Sequence, residues 1–186
     1  MKKINQIEPS LGNEEKKELI DVIDSGWFTE AGKTKEFEKR FAEFVGSKYA
    51  IAVTSGTSAL FLGLKAMGIT KNDEVLVPDM TFVASPNAVE LCGAKPVLID
   101  IESKSLNIDQ EKLKGKITKN TKAIMPVDFN GRSTDIFQLK EFAEKNNLLL
   151  IEDACHAIGS FYDTKHMGTV SNIGVFSFST PKIITT

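Results

Sequence analysis

Four short segments with chemically active side chains follow apolar runs in the sequence. They are TSGTSAL (54–60), PDMTF (78–82), IEDACHAIG (151–159) and GVFSFSTPKIITT (174–186). Apolar runs of this length are typical of buried strands in a parallel sheet. Because ligands of such sheets bind at the carboxyl ends of the strands, these segments are the first places to look for a site.

The first segment predicts an anion site at the start of a helix. Ser55 and Gly56 form a tight turn, and Thr57 and Ser58 open the helix. The free backbone N–H groups and the dipole of such a helix end attract anions, phosphate among them. The alternative is an ordinary helix cap by a serine or threonine hydroxyl, with no ligand.

Asp153 and His156 form the second group. Asp153 ends a strongly apolar strand, where an unpaired carboxylate is costly and a cationic ring nitrogen of a ligand is a suitable partner. His156 lies three residues further on. Alternatively, Asp153 only caps the next turn, and His156 is a structural histidine with its hydrogen bonds made.

Phe82 and Lys182 complete the set. Phe82 follows a strand and can either stack on a planar ligand or fill the core. Lys182 follows the apolar strand 174–179 by a few residues, with the hydroxyls of Ser177 and Ser179 nearby. A lysine at the edge of an apolar sheet can lose its charge and attack carbonyl groups. The alternative is an exposed surface lysine.

Together the four groups suit one ligand. They offer a helix end for a phosphate, a carboxylate for a ring nitrogen, an aromatic ring for stacking and a lysine for an aldehyde. These are the groups that hold pyridoxal 5'-phosphate (PLP) in enzymes.

The elements that position these groups alternate between helices and strands, which predicts an α/β fold with a mainly parallel sheet. The pattern predicts helices over 13–26, 33–46, 57–68, 84–93 and 134–146. It predicts strands over 48–53, 73–78, 94–100, 121–129, 147–153 and 174–179. In the first helix we expect Leu19, Ile20 and Ile23 to face inward and Gly26 to end the helix.

Composition and charge narrow the class of protein. The chain has 186 residues, 41% hydrophobic and 26% charged, with a formal net charge of −2. These values are typical of a globular protein and do not favour nucleic acid as a partner. No apolar run reaches membrane-spanning length, the first ten residues lack the apolar stretch of a signal peptide, and Cys92 and Cys155 lack metal-site spacing. We expect a soluble cytoplasmic protein.

The runs SGTSAL, TFVASPNAV, IEDACHAIG and GVFSFSTPKIITT, in this order, closely resemble the DegT/DnrJ/EryC1/StrS family. Its members are PLP-dependent sugar aminotransferases of the fold-type I, or aspartate aminotransferase, superfamily. The resemblance starts near residue 25 and runs to the last residue. It implies a three-layer α/β/α sandwich, with an N-terminal segment and helix over 1–30 and a PLP-binding large domain over 31–186.

The resemblance also implies roles for individual residues. Lys182 would bond to the cofactor and move the substrate proton, and Asp153 would pair with the pyridinium nitrogen. His156 would lie beside the cofactor, and Phe82 would stack on its ring. The phosphate would be held by a set drawn from two segments: Gly56, Thr57, Ser58 and Ser177.

The implied reaction moves an amino group from L-glutamate to a nucleotide-linked keto-deoxy sugar, for polysaccharide, O-antigen or natural-product biosynthesis, in a homodimeric enzyme. Two departures from the family pattern weaken a specific substrate assignment: Asp128 stands where many members have histidine, and Arg132 stands where a smaller or amide residue is frequent. In a third departure, Ser179 replaces a histidine or aromatic residue that is often seen there. Members of the family usually continue beyond this point with a Gly-rich loop and a small C-terminal domain. The resemblance therefore implies an N-terminal part that is inactive alone.

Three alternatives stay open. Some members are dehydratases with a histidine in place of the lysine, and the presence of Lys182 argues against that branch. Cysteine desulfurase-like enzymes need a mobile cysteine loop, for which neither Cys92 nor Cys155 is obviously placed. A non-catalytic paralogue or partner subunit with the same fold is the third.

Overall fold

A five-stranded parallel sheet forms the centre of the fold in the computed structural model, which describes residues 8–29 and 32–185. Its strands are β1 (Glu74–Pro78), β2 (Lys95–Ile99), β3 (Thr121–Ile124), β4 (Leu149–Asp153) and β7 (Ile173–Val175). They lie in the order β2-β1-β3-β4-β7, and every neighbouring pair is parallel. A separate antiparallel pair consists of β5 (Phe161–Tyr162) and β6 (Lys165–His166).

Helices connect the strands, as the alternating pattern predicts. They are α1 (Asn13–Ser25), α2 (Gly32–Val45), α3 (Gly56–Ala66), α4 (Ala84–Leu91), α5 (Gln110–Leu113) and α6 (Ile136–Lys145). Two short 3₁₀ turns span Lys114–Lys116 and Phe129–Gly131. Within residues 8–29 and 32–185, none of the helices is long and apolar enough to cross a membrane.

The sheet carries a hydrophobic core on each face. On β1, Val75 and Val77 belong to one core, which contains Leu64 of α3, while Leu76 belongs to the other, which contains Leu139 of α6. Side chains alternate between the faces of a strand, so a strand covered on both faces must be apolar throughout. The predicted three-layer α/β/α arrangement with a mainly parallel sheet is confirmed.

The first helix differs from the prediction in what it buries. Helix α1 ends at Gly26, which adopts φ 67° as predicted for a helix stop. However, α1 buries none of its residues, and Leu19, Ile20 and Ile23 are exposed. The expectation that these three face inward is wrong for the described residues, because no described element covers that face of the helix.

The strand predicted over 48–53 is also absent from the described part of the chain. Ile51 is 80% exposed, and the backbone N–H of Ala52 donates to the Glu38 carboxylate over 2.8 Å instead of to another strand. A strand needs a neighbouring backbone for its N–H and C=O groups. Residues 48–53 have the apolar composition of a strand but no described strand beside them.

Candidate active site

The carboxyl ends of the strands bring the predicted site residues to one edge of the sheet. Asp153 is the last residue of β4, and Ser177 follows the end of β7 by two residues. Residues 79–82, which end with Phe82, follow β1, and Gly56 is the first residue of α3. Because β1, β4 and β7 run in the same direction, their carboxyl ends share an edge, and α3 packs against β4 and β7.

Asp153 is buried and held by two donors from the protein. Asp153 is only 5% exposed. The hydroxyl of Ser85 donates to Oδ2 over 2.7 Å, and the backbone N–H of Cys155 donates to Oδ1 over 3.3 Å. The second contact matches the turn-capping interpretation. The first fixes the carboxylate from a different element, which a simple turn cap does not require.

Ser85 is a site residue that sequence reasoning missed. It lies in the first turn of α4, is fully buried, and its hydroxyl also lies 2.7 Å from that of Thr81. Ala88 and Val89, three and four residues further, are buried on the same face. A serine on the apolar face of a helix requires a hydrogen-bond partner, and that pattern could have identified it.

The start of α3 approaches the segment after β7 very closely. A Cβ built on Gly56 would lie 3.2 Å from Cβ of Ser177 and 3.2 Å from Sγ of Cys155. Such distances leave almost no room for a side chain at position 56. The glycine therefore allows the helix end and the Ser177 hydroxyl to lie side by side at the carboxyl edge of the sheet.

The cap of α3 leaves its first backbone amides available. Ser55 is the N-cap, and its hydroxyl accepts the N–H of Ser58 over 3.1 Å. The Ser58 hydroxyl lies 3.0 Å from that of Ser55 and 3.1 Å from that of Thr54. The first helical N–H groups, of Gly56 and Thr57, have no acceptor within the helix. Capping by Ser55 and an anion site at 56–57 are therefore compatible.

Two phenylalanines orient the segment that carries Ser177. Phe176 and Phe178 pack edge-on against Phe41 and Phe37 of α2, with ring centroids 5.0 and 5.1 Å apart. In extended backbone, alternate side chains point to opposite sides. Ser177, which is buried, therefore points away from α2 and towards Gly56.

His156 is half-buried and lies against the Phe129 ring at a centroid distance of 5.9 Å. Its Nδ1 is buried and has no hydrogen-bond partner among the described residues. Burial lowers the pKa of His156, and the positive charge of Lys182 lowers it further. The interpretation of His156 as a structural histidine with its hydrogen bonds made is not supported in the described part of the chain.

Lys182 lies in the loop after β7. Its backbone N–H donates to the Ser179 carbonyl over 2.9 Å, and its side chain is half-buried. Lys182 lines a cavity of about 410 Å³ together with residues 8–11, Glu15 and the neighbouring residues 180–181 and 183–185. The charge of Lys182 lowers the pKa values of both Cys155 and His156, which lie two and three residues after Asp153. The exposed surface-lysine alternative does not describe this environment.

Phe82 does not fill the core. The residue is 68% exposed, in the segment between β1 and α4, and its carbonyl accepts the N–H of Ser85 over 3.1 Å. The core-filling alternative is therefore wrong, and an exposed aromatic ring lies one helical turn from the donor that holds Asp153.

The cysteines are poorly suited to nucleophilic chemistry. Burial and the nearby Asp153 charge raise the pKa of the Cys155 thiol well above its ordinary value. Burial also raises the pKa of Cys92. Since the thiolate is the nucleophilic form, the raised pKa values disfavour nucleophilic attack by either thiol at neutral pH, which argues against a cysteine desulfurase-like mechanism.

The residues at this edge fit a phosphorylated aldehyde with a protonated ring nitrogen. The start of α3 can receive an anion, the buried Asp153 can receive a cationic N–H, and Lys182 lies nearby. The fold is that of the large domain of a fold-type I PLP enzyme. The chain belongs to the DegT/DnrJ/EryC1/StrS aminotransferase family, whose sequence model matches residues 9–186.

Relatives and solved structures agree with this membership. The chain is 44% identical over 185 residues to the GDP-perosamine synthase of Caulobacter vibrioides, covering 99% of this chain and 50% of that protein. It is 42% identical over 178 residues to the spore coat polysaccharide biosynthesis protein SpsC of Bacillus subtilis, covering 96% and 46%. The PLP form of Spr1654 from Streptococcus pneumoniae superposes with a TM-score of 0.92 at 31% identity, covering 98% and 50%. The chain thus spans about half the length of the curated relatives it matches.

Proposed function

We propose that this protein is a PLP-dependent aminotransferase that moves an amino group from L-glutamate to the keto group of a nucleotide-linked deoxy sugar. One observation carries the proposal: the buried Asp153 carboxylate, held by Ser85, lies at the same sheet edge as the start of α3 and Lys182. A buried carboxylate fixed in one orientation is suited to a cationic ring nitrogen, and the helix start to a phosphate.

Each residue then has a defined task. The backbone N–H groups of Gly56 and Thr57 hold the phosphate, with the hydroxyls of Ser58 and Ser177 beside them. Asp153 keeps the ring nitrogen protonated, because a carboxylate at hydrogen-bond distance favours the cationic form.

Three other side chains complete the site. Phe82 would supply a stacking surface for the ring, and His156 would offer Nδ1 as a hydrogen-bond partner beside it. Lys182 would hold the cofactor through its aldehyde, and its Nζ would carry the proton of the substrate α-carbon. When bound, PLP supplies an electron sink for the negative charge left on that carbon.

The proposed acceptor is a GDP-linked keto-deoxy sugar used for a polysaccharide. The support comes from the names of two relatives, a GDP-perosamine synthase at 44% identity and a spore coat polysaccharide protein at 42%. We also propose that the protein works as a cytoplasmic homodimer, as the family resemblance implies.

An absorption experiment tests the proposal. PLP is added to the purified protein, to Lys182→Ala and to the control Lys119→Ala, in which an exposed lysine is removed. We expect a visible absorption band that requires Lys182 and survives in the control. After reduction with borohydride, we expect a phosphopyridoxyl group on the peptide that contains Lys182. Absence of any lysine-dependent band contradicts the proposed cofactor chemistry.

A turnover assay of the full-length protein tests the reaction itself. L-glutamate is offered together with a panel of nucleotide-linked keto sugars, and release of 2-oxoglutarate is followed. We expect turnover with a GDP-linked keto-deoxy sugar. A lysine-dependent absorption band without turnover on any sugar favours the non-catalytic paralogue or partner subunit.

A further inference from the structure

Two further carboxyl groups, those of Asp128 and Glu152, lie beside Asp153. Asp128 is 1% exposed and Glu152 is 0% exposed. Asp128 follows β3, and Glu152 precedes Asp153 on β4, the neighbouring strand. Val127 pairs with Asp153 across the two segments, and the backbone N–H of Asp128 donates to the Asp153 carbonyl over 3.0 Å.

Three of the four carboxyl oxygens of this pair lack a hydrogen-bond partner among the described residues. Among the described residues, neither oxygen of Asp128 and not Oε2 of Glu152 has a hydrogen-bond partner. Oε1 of Glu152 accepts the backbone N–H of Gly168 over 2.6 Å. An ionised carboxylate can only accept hydrogen bonds, so two of them cannot satisfy each other, whereas one protonated carboxyl can donate to the other.

The charges around Asp128 favour the protonated form. Burial raises the pKa of Asp128 well above its ordinary value, and the adjacent Glu152 carboxylate and the Asp153 charge raise it further. The Ser133 hydroxyl opposes this increase. The charge of Asp128 also contributes to the raised pKa of the Cys155 thiol, which stays neutral. No ion pair in the described part of the chain includes Asp128 or Glu152.

We propose that Asp128 and Glu152 share one proton, and that this acid–carboxylate pair positions Asp153 at the site. Two ionised carboxylates so deeply buried would lack both water and a counterion, which is far more costly than keeping one proton. With one proton, Asp128 donates to Glu152, and Glu152 stays bound to the N–H of Gly168. The pair thereby links the segment after β3 to β4 and to the turn that precedes β7.

The pair acts on Asp153 in two ways. It fixes the backbone of Asp128, whose N–H holds the Asp153 carbonyl. It also leaves one negative charge near the Asp153 carboxylate, and this charge favours a cationic partner there. The second effect rests on the proposed function, because that partner is the cationic ring nitrogen of the proposed cofactor. Asp128 and Glu152 are thus positioning residues.

Infrared spectroscopy tests the shared proton without any cofactor. The purified protein is compared with Asp128→Asn and with the control Asp24→Asn, in which an exposed aspartate on α1 is changed. We expect a carboxylic-acid C=O band at pH 7 in the wild type and the control, and its loss in Asp128→Asn. A wild-type protein without this band at pH 7 overturns the proposal.

Unfolding as a function of pH supplies a second readout. The folded protein holds the shared proton and the unfolded chain does not. The native state therefore binds more protons than the unfolded state, and its stability falls as pH rises. Above the ordinary aspartate pKa of about 4, this site should raise the unfolding equilibrium constant about tenfold per pH unit until the folded pair loses its proton. Asp128→Asn, whose amide donates permanently to Glu152, should remove this dependence. An unchanged pH dependence contradicts a shared proton.

The link to Asp153 needs a separate measurement. Glu152→Gln also replaces the shared proton by an amide donor, and it serves if Asp128→Asn fails to fold. Each single variant keeps one negative charge on the remaining carboxylate, whereas the double variant Asp128→Asn/Glu152→Gln removes it. With PLP bound, we therefore expect the double variant to shift the pH profile of the cofactor absorption towards lower pH. If the infrared acid band is present but the pH profile of cofactor absorption does not shift, the positioning role is overturned. If the wild-type protein does not bind PLP, the proposed function fails instead.

Discussion

The hydroxyl of Ser85 donates to Oδ2 of Asp153 over 2.7 Å, although the two residues are 68 positions apart. The contact joins the first turn of α4 to the last residue of β4. It fixes a buried carboxylate in one orientation at the sheet edge, where the start of α3 and the loop of Lys182 also lie. The precision of the site therefore depends on a residue that lies within the run TFVASPNAV but was not among the predicted site residues.

Removing the Ser85 hydroxyl should weaken both the fold and the site. In Ser85→Ala, a buried carboxylate loses a donor, and a hydrogen bond to a charged group is worth about 1.5–3 kcal/mol. We expect a loss of this size in urea unfolding and weaker PLP binding by absorption titration. Ser103→Ala, at an exposed serine, is the control and should change neither. Equal behaviour of the two variants would show that Ser85 does not hold Asp153.

A methyl group at position 56 should disturb the phosphate end of the site. In Gly56→Ala, the new Cβ meets Ser177 and Cys155 at 3.2 Å, so one of them must move. Overpacking of this kind costs about 1–3 kcal/mol, and we expect reduced affinity for PLP and for inorganic phosphate as a competitor. Gly115→Ala is the matched control, because a Cβ there meets nothing within 4 Å. Unchanged affinity in Gly56→Ala would mean that α3 does not hold the phosphate.

The pKa of His156 should respond to the charge of Lys182. NMR titration of the cofactor-free protein should give His156 a pKa below the ordinary histidine value of about 6.5, because burial and Lys182 both disfavour the imidazolium. Removing the charge in Lys182→Met should raise this pKa, while Lys48→Met should not. A His156 pKa that is the same in all three proteins would place Lys182 away from the site.

The same lowered pKa has a consequence for stability. The unfolded chain binds a proton at His156 at a higher pH than the folded protein does, so the native state loses stability as pH falls below about 6.5. We expect His156→Asn to weaken this acid-side loss in thermal unfolding between pH 6.5 and the lower, folded pKa. The sign is opposite to that of the Asp128–Glu152 pair, so the two variants distinguish the two effects. A His156→Asn profile parallel to wild type would contradict the prediction.

Phe82 should matter for the ligand and not for the fold. Because the ring is 68% exposed, we expect Phe82→Ala to change the free energy of unfolding by less than about 0.5 kcal/mol, as for most surface substitutions. PLP binding should weaken, since a stacking surface is lost. Phe161→Ala, at another exposed phenylalanine, should leave PLP binding unchanged. Equal PLP affinity in both variants would remove Phe82 from the site.

Much of the fold could be predicted because its signals are local. The run that forms β1 is buried at every position, and its four residues after Glu74 are all apolar, as expected of a strand covered on both faces. Gly26 and Gly46 end their helices with positive φ, as predicted from their position after an apolar periodic run. The anion site at Gly56 and the carboxylate at Asp153 could be proposed because parallel strands present their carboxyl ends together.

The failures share one physical cause. Leu19, Ile20 and Ile23 have helical spacing, and residues 48–53 have strand composition, yet both predictions required a neighbour that the sequence does not specify. Burial and strand pairing depend on other segments of chain. A pattern reveals which face is apolar, and only the packing decides whether that face is covered.

By itself, the sequence determined the α/β class, the family resemblance and the residue types that can hold a phosphorylated aldehyde. It did so because periodicity, turn residues and motif order are properties of neighbouring positions. Only the tertiary structure decided that Ser85 holds Asp153, that Gly56 lies against Ser177, and that Asp128 is buried beside Glu152 without a donor. These contacts join distant segments, and their energies depend on distance and burial, which sequence spacing does not encode.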